Sequence, residues 1–438
     1  MIQFIIVILS IIIQVFIIKK TFSNKCRNYK TMIYFVIFWW NVLILLSILS
    51  YMNTFPLTLK TTIFLCLGNV SFTIGYCFFK KKELPLKKFK KSLLSFNVSF
   101  SIEKVFKFIQ IFLLVILCYY FIRYEMLLEI HGIEMARMIK FRLGLLFFTS
   151  FESFMFQYVL TGLLQICIFY CFIKFFFFSI NKIDLVIAIA NIILFSLIGQ
   201  GRMIYFQLLI IMFVFIVKKW NDNPTFFKEK MKFFILCFLL IIVLLIIMTF
   251  IRMGLSLNNF NRIPEYFDRT FTQVYVYFTG PFKGLDYYIN NNLASGNFIP
   301  GQFTFYVLFH PLIKILELFI PSLSLDNPMV FLQQNVPISN YTEFNAMFTY
   351  YINFYKDFSY LGFIILPICL GYFSALLVKL MDHKNIIIKI FAFLNFTNII
   401  LGTLRWEYQN YDVIFSVFFL IIFYMMNIGG KKDDKNSL

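Results

Sequence analysis

The side chains of this sequence best suited to binding an anion are its arginines, and their placement is uneven. Eight of the nine, Arg123, Arg137, Arg142, Arg202, Arg252, Arg262, Arg269 and Arg405, fall in one of two alternating sets of segments between apolar runs. A guanidinium presents a planar fork that grips phosphate or carboxylate through two oxygens, and it keeps its charge in a dry site. Arg202 is the sharpest case. It stands in SLIGQGRMIYFQLL (196–209), where Gly199, Gln200, Gly201 and Arg202 alone separate two runs, 185–198 and 203–217, that each read as most of a membrane span. An arginine at the bilayer centre costs about 2.5–3.5 kcal/mol on insertion scales. The flanking glycines suit a tight turn and let backbone N–H groups approach phosphate oxygens. Capping helix ends and pairing with carboxylates is the plainer role, expected for about half of the eight. It suits Arg202 poorly, because no acidic residue lies nearby in sequence.

The elements that must position these residues follow from composition. Hydrophobic residues make up 61% of the 438, with 63 Phe and only 14% charged residues, more apolar surface than a soluble domain of this size could hide. The expected fold is an all-α polytopic membrane protein. Eleven spans are predicted near 2–18, 32–51, 61–79, 106–122, 153–173, 184–199, 203–217, 233–250, 358–378, 385–402 and 412–428. Spans one to eight thus occupy 1–250, one large loop 251–357, the last three spans 358–428, and a tail 429–438. The first segment lacks a basic region before its apolar run and reads as a span with the N-terminus outside. The segments 19–31, 80–105, 174–183, 218–232, 379–384 and the tail, with lysines at adjoining span ends, hold 27 of the 40 basic residues but 8 of the 21 acidic ones. By the positive-inside rule these are cytoplasmic, giving an N-out, C-in topology. Of those 27 only Arg27 is arginine, whereas the outer set has eight arginines and five lysines. The net charge of +19 therefore reports topology and contact with anionic lipid, and no nucleic-acid partner is expected even for KKKELPLKKFKK (80–91).

The loop over 251–357 is far longer than a connection between spans needs. Within it FTFYVLFHPLIKILELFI (303–320) is apolar, but Pro311, Lys314 and Glu317 argue for an interfacial or re-entrant helix rather than a span. The eight cysteines avoid this loop, so no disulfide framework is expected. Phosphate-loop, nucleophile-elbow and zinc-protease motifs are absent from the sequence. No outer carboxylate cluster offers a divalent metal a site, so neither metal nor other cofactor is expected.

The stretch NAMFTYYINFYKDFSYLGFIILPICLGYFSALL (345–377) resembles the last large-loop segment of the oligosaccharide repeat unit polymerases, the Wzy-type O-antigen and capsular polysaccharide polymerases. Asn345, Thr349, Tyr355, Asp357, Phe358 and Gly362 stand at the positions of that family's pattern, with Ser359 in place of its usual glycine. The short turn with Arg202, FIRMG (250–254) and YFTGPFKGLDYY (277–288) are similar to further outer segments of the family. The resemblance implies a GT-C-like membrane glycosyltransferase in a bacterial cytoplasmic (inner) membrane. Its donor and acceptor would both be undecaprenyl pyrophosphate-linked oligosaccharides at the outer face, and its partners membrane lipid, a chain-length regulator and a flippase. On this basis Arg202, Arg252 and Arg269 would bind the departing pyrophosphate. The base that takes the acceptor proton would be His310, Glu343, Asp357 or Asp268. Asp357 could equally serve the backbone where the loop re-enters the membrane, and His310 could be a packed imidazole. Tyr275, Tyr277, Tyr350 and Tyr351 would stack on sugar rings, although packing is the default for aromatics in a chain 21% aromatic.

An O-antigen ligase shares the multi-span layout with a large outer loop. A lipid-linked oligosaccharide flippase has a similar size but should show two related halves, and no internal repeat is visible. The topology is directly checkable. A reporter active only in the cytoplasm should work when fused after residue 225 or 430 and be silent after residue 300. Activity at 300 would remove the outer site.

Overall fold

The computed structural model describes residues 1–22, 26–81, 101–140, 144–178, 180–199, 203–252, 263–291, 299–320, 334–340, 342–344 and 349–429. The apolar runs fold as helices: α1 Ile2–Thr21, α2 Arg27–Ile48, α3 Leu59–Lys81, α4 Ile102–Ile139, α5 Ser150–Phe177, α6 Lys182–Gly199, α7 Met203–Asp222 and α8 Pro224–Arg252. They continue as α9 Ile263–Asn290, α10 Tyr306–Phe319, α11 Tyr350–Phe358, α12 Ile365–Leu380, α13 Ile386–Leu401 and α14 Tyr411–Gly429. Among the described residues, α1 to α7 are each long and apolar enough to cross a membrane, with α4 counted up to Gly132. At Gly132 the backbone takes φ 71°, which glycine adopts without strain and which ends the straight part of the helix. The segment 350–363 meets α12 at 94° and adds an eighth span if the pair is taken as one. The chain is therefore an all-α polytopic membrane protein. The last predicted spans fall on shorter apolar stretches, Phe234–Phe250, α12, α13 and Tyr411–Met426.

The chain divides into two compact units, the first comprising Met1–Leu84, Asp268–Lys379 and Asn395–Asn410. Its α1 has inverted polarity. Ser10 and Gln14 are buried while Ile5, Ile8, Leu9, Ile12, Ile13 and Phe16 are exposed, as expected where the surroundings are lipid. The Gln14 amide donates to Ser10 Oγ at 3.0 Å, and Thr73 Oγ1 on α3 donates to Gln14 Oε1 at 3.2 Å. Helices α3 and α12 meet backbone to backbone. A Cβ on Gly75 would lie 2.0 Å from the Ile368 carbonyl oxygen, and one on Gly371 would lie 2.0 Å from that of Phe72.

Among the described residues of 251–357, helices α9, α10 and α11 make up most of the chain. Helix α9 buries Phe282, Leu285, Tyr288 and Ile289, and its polar residues kept it from standing out as a helix by hydropathy. A two-stranded antiparallel hairpin, β1 Val336–Pro337 and β2 Glu343–Phe344, pairs Val336 with Phe344. Helix α10 falls within the predicted 303–320 and turns one apolar stripe outward, Leu308, Leu312, Ile315, Leu316 and Phe319. That pattern suits a helix lying in a membrane interface.

The second unit comprises Pro85–Phe267, Leu380–Leu394 and Tyr411–Leu438. Helix α4 exposes Phe108, Ile111, Phe112, Val115 and Ile122 and buries Gln110, whose amide donates to Cys171 Sγ at 3.0 Å. Asn191 on α6 donates to the Gln110 carbonyl at 3.0 Å. A phenylalanine core forms around Phe215 and Phe393, stacked at 4.0 Å. The fully buried Lys218 on α7 pairs with Asp382 at 2.6 Å and Asp222 at 3.3 Å. Lys174 pairs with Glu103.

The glycine contacts give a stability prediction. Gly371→Ala must push two helix backbones apart, and overpacking of this kind costs about 1–3 kcal/mol or more. Gly199→Ala meets nothing within 4 Å. The first variant should show a clear loss of monodisperse protein in detergent and the second none, read by size exclusion of a fluorescent fusion.

Candidate functional site

The predicted outer segments of the first unit are held together by one face of α9. Tyr275, Thr279, Lys283 and Asp286 recur at helical spacing along it. The Tyr275 hydroxyl donates to the carbonyls of Leu46 at 3.1 Å and Leu49 at 2.7 Å, groups left open where α2 ends. Lys283, only 4% exposed, donates from Nζ to Phe55 O at 2.5 Å, Thr54 Oγ1 at 2.9 Å and Leu49 O at 3.4 Å. Burial pushes its pKa down to about 8, against the pull of the Asp286 carboxylate, so the group is still an ammonium at neutral pH. Asp286 Oδ1 accepts from Thr58 Oγ1 at 2.5 Å, the Thr58 backbone N–H at 3.2 Å and Asn290 Nδ2 at 3.1 Å. The segment 46–58 is thus fastened to α9 by a tyrosine, an ammonium and a carboxylate.

A second set of contacts fixes α11. Asp357 accepts from the backbone N–H groups of Thr304 at 2.6 Å and Phe303 at 3.0 Å. The Trp406 indole donates to the Thr304 carbonyl at 2.8 Å, and the Tyr350 N–H donates to Gly402 O at 2.7 Å. Tyr350, Tyr351, Phe354 and Trp406 form a buried aromatic cluster, with Tyr350 and Tyr351 centred 4.3 Å apart. The Tyr351 hydroxyl reaches Asn69 Oδ1 on α3 at 2.9 Å. Gly68 and Gly402 make room for these rings, since a Cβ at either would come within 3 Å of one of them.

In the second unit, Arg123 stacks over Phe148 at 3.9 Å, donates to the Leu145 carbonyl at 2.9 Å and pairs with Glu152 at 3.5 Å. Glu152 also accepts from the Tyr120 hydroxyl at 2.6 Å. Arg123 therefore takes the plainer of the two roles considered for the arginines. Lys140, 3% exposed, donates to the carbonyls of Gly199 at 2.6 Å and Ile198 at 3.1 Å. A cation at the C-terminus of α6 meets both its open carbonyls and the negative end of its dipole.

The sequence-predicted residues fare unequally. Arg202 and Asn345 lie outside the described residues, as does the side chain of Arg252 at the end of α8. Arg269 and Asp268 are exposed neighbours on α9. Tyr350 and Tyr351 are 0% and 1% exposed, so their rings are core and are closed to a sugar, which corrects the stacking expectation. Tyr275 is held by its hydroxyl, with its ring 5.4 Å from Tyr51, and Tyr277 is half-buried. Asp357 accepts from two backbone amides, the alternative role considered for it, and is half-buried. His310 is half-buried and stacks on Tyr306 at 5.0 Å. Glu343 is exposed on β2, accepting from Asn335 Nδ2 at 2.7 Å. Lys140 and Lys283 were missed. The signal was present for Lys283, a lone charge in GPFKG between apolar neighbours on a helix face. Among the described residues no group of three His, Cys, Asp or Glu side chains could hold a metal ion. No known protein family, curated protein or solved structure matches the chain.

The Lys283 anchor yields a prediction. Lys283→Met takes the donor from the Phe55 carbonyl and the Thr54 hydroxyl, while the Leu49 carbonyl keeps the Tyr275 hydroxyl, a loss of about 1–3 kcal/mol for each of the two groups stranded. Thermal unfolding in detergent should begin several degrees lower, with proteolysis appearing first within 46–58.

Proposed function

We propose that this chain polymerises undecaprenyl pyrophosphate-linked oligosaccharide repeat units into O-antigen or capsular polysaccharide at the outer face of a bacterial cytoplasmic membrane. In this reading it has eleven spans, N-out and C-in, in a GT-C-like arrangement. One observation carries the proposal: the segments that charge assigns to the outer side bond to one another. In the first unit 54–58 is tied to Lys283 and Asp286, and Thr304 to Trp406. In the second, Lys140 is tied to the end of α6. The segments assigned to the inner side are paired likewise, Glu103 with Lys174 and Lys218 with Asp382. Such pairing supports a large folded outer segment on a multi-span base, with arginine concentrated on that side.

In the reaction, the bond between the anomeric carbon of the growing glycan and its phosphate oxygen breaks, and the electron pair leaves with undecaprenyl pyrophosphate. A hydroxyl of the incoming lipid-linked unit forms the new C–O bond and gives its proton to a base. Charge gathers on the departing pyrophosphate, where fixed bidentate donors are most effective. Arg202, Arg252 and Arg269 are assigned that task, and His310, Glu343 and Asp268 remain as bases, with Asp357 engaged elsewhere.

The test is the glycan ladder of a deletion strain. Loss of a polymerase leaves single repeats on lipid, loss of a ligase leaves lipid-linked polymer, and loss of a flippase leaves nothing exported. Arg202→Lys then addresses the site. It keeps the charge but loses the fork, and is expected to insert normally while losing on the order of 10²-fold in polymerisation rate. Full-length ladders from well-expressed Arg202→Lys protein would assign Arg202 to the membrane interface instead.

A further inference from the structure

Where α3 and α12 begin, a cation and two phenols meet at the surface. Lys60, in the first turn of α3, is exposed and holds its ammonium 5.4 Å from the centre of the Tyr360 ring. Tyr360 stands at the bend between α11 and α12 and is 37% exposed, so the cluster is open to a ligand. The buried Tyr355 ring lies 5.5 Å from it. Lys60 and Tyr355 are the side chains beside the Tyr360 hydroxyl. The Tyr360 ring is fixed by stacking on Phe64 of α3 at 4.6 Å. The chain reaches it through Ser359 at φ 50°, a conformation that favours glycine and that the contacts around Tyr360 hold against its strain.

A lysine or tyrosine at the end of a span is ordinarily an anchor, its polar tip reaching away into water. Here the lysine folds over a ring, and among the described residues it pairs with no carboxylate. Asp286, which holds Thr58 two positions earlier, makes no ion pair with it. A cation in the first turn also sits at the positive end of the helix dipole, so the helix does not offset its charge. Three ammonium hydrogens and two phenol hydrogens share two phenol oxygens as acceptors. Donors are left over, and the group that meets them is one that accepts and is negatively charged. Its source follows from the rim. Leu59, Ile63, Leu361 and Ile365 flank the cluster and are exposed, as side chains facing lipid are. A soluble anion would leave that rim in water, whereas a lipid covers it with its own chains. A single ammonium balances the single charge of a phosphodiester better than the multiple charge of a pyrophosphate. We propose that Lys60, Tyr360 and Tyr355 bind the phosphodiester headgroup of a membrane phospholipid, whose acyl chains lie against Leu59, Ile63, Leu361 and Ile365. This site goes beyond the polymerase reading and does not depend on it.

The test titrates the full-length protein, stripped of lipid in detergent, with dioleoylphosphatidylglycerol and counts bound lipid by native mass spectrometry. Lys60→Met keeps the stem and removes the charge, and Tyr360→Phe keeps the ring on Phe64 and removes the hydroxyl. The tightest lipid should bind about tenfold more weakly to Lys60→Met and about threefold more weakly to Tyr360→Phe, as for loss of a charged and of a neutral hydrogen bond. Without lipid, Tyr360→Phe should unfold at the wild-type temperature, because its change lies at the surface, and added lipid should raise that temperature less than in wild type. Wild-type affinity in both variants overturns the proposal. So does equally tight binding of dioleoylglycerol, which has the chains and no phosphate. Displacement of the lipid by millimolar glycerol 3-phosphate would make the ligand a soluble phosphate and overturn the assignment to a lipid. Tighter, Lys60-dependent binding of undecaprenyl pyrophosphate than of phosphatidylglycerol would overturn the assignment to a phosphodiester. The glycan ladder of the deletion strain bears on the polymerase reading alone and leaves this test unmoved.

Discussion

A charge withdrawn from water into an apolar surround must be ringed by acceptors or opposite charges, and the buried lysines of this chain are built around that requirement. Lys283 gathers two carbonyls and a hydroxyl from the stretch between α2 and α3, and Lys140 gathers the last carbonyls of α6. In each case the acceptors are groups that a helix end or a turn leaves open. One ammonium thus answers two needs, its own and that of the backbone. The segments that join spans are therefore fixed, and α9 can lie against them as part of a folded body.

The choice of lysine at these points bears on the uneven use of arginine. Guanidinium tolerates dry sites well, yet the buried anchors here are lysines. Three acceptors gather on the Lys283 ammonium and two carbonyls on that of Lys140, an arrangement that a point charge with rotatable N–H bonds meets more readily than a flat fork. Arg123, by contrast, lies flat on Phe148 and faces a carboxylate, and Arg269 is exposed.

Much of the fold was legible because a membrane span is a property of composition along a single stretch. Helices α1 to α7 stand where apolar runs put them, and α10 was visible through its stripe and its interrupting Pro311 and Lys314. Helix α9 was not, because its helical character depends on what it packs against and its mean polarity hides it among loops. The site was less legible still. Asp357 drew attention as a carboxylate in a motif, yet what decides its role is the pair of amides at Phe303 and Thr304, some fifty positions away in sequence. Tyr350 and Tyr351 looked like sugar platforms until the cavities beside Gly68 and Gly402 proved to be filled by those very rings.

The glycine contact between α3 and α12 has a mechanical meaning. With no side chain between the two backbones, neither helix can slip lengthwise by a residue without driving a neighbouring side chain into the other's carbonyls. The pair behaves as a welded post. Helix α1 meets α3 differently, through the Ser10 hydroxyl on the Cys66 carbonyl and the Thr73 hydroxyl on the Gln14 amide, so its side chains rather than its backbone set the spacing.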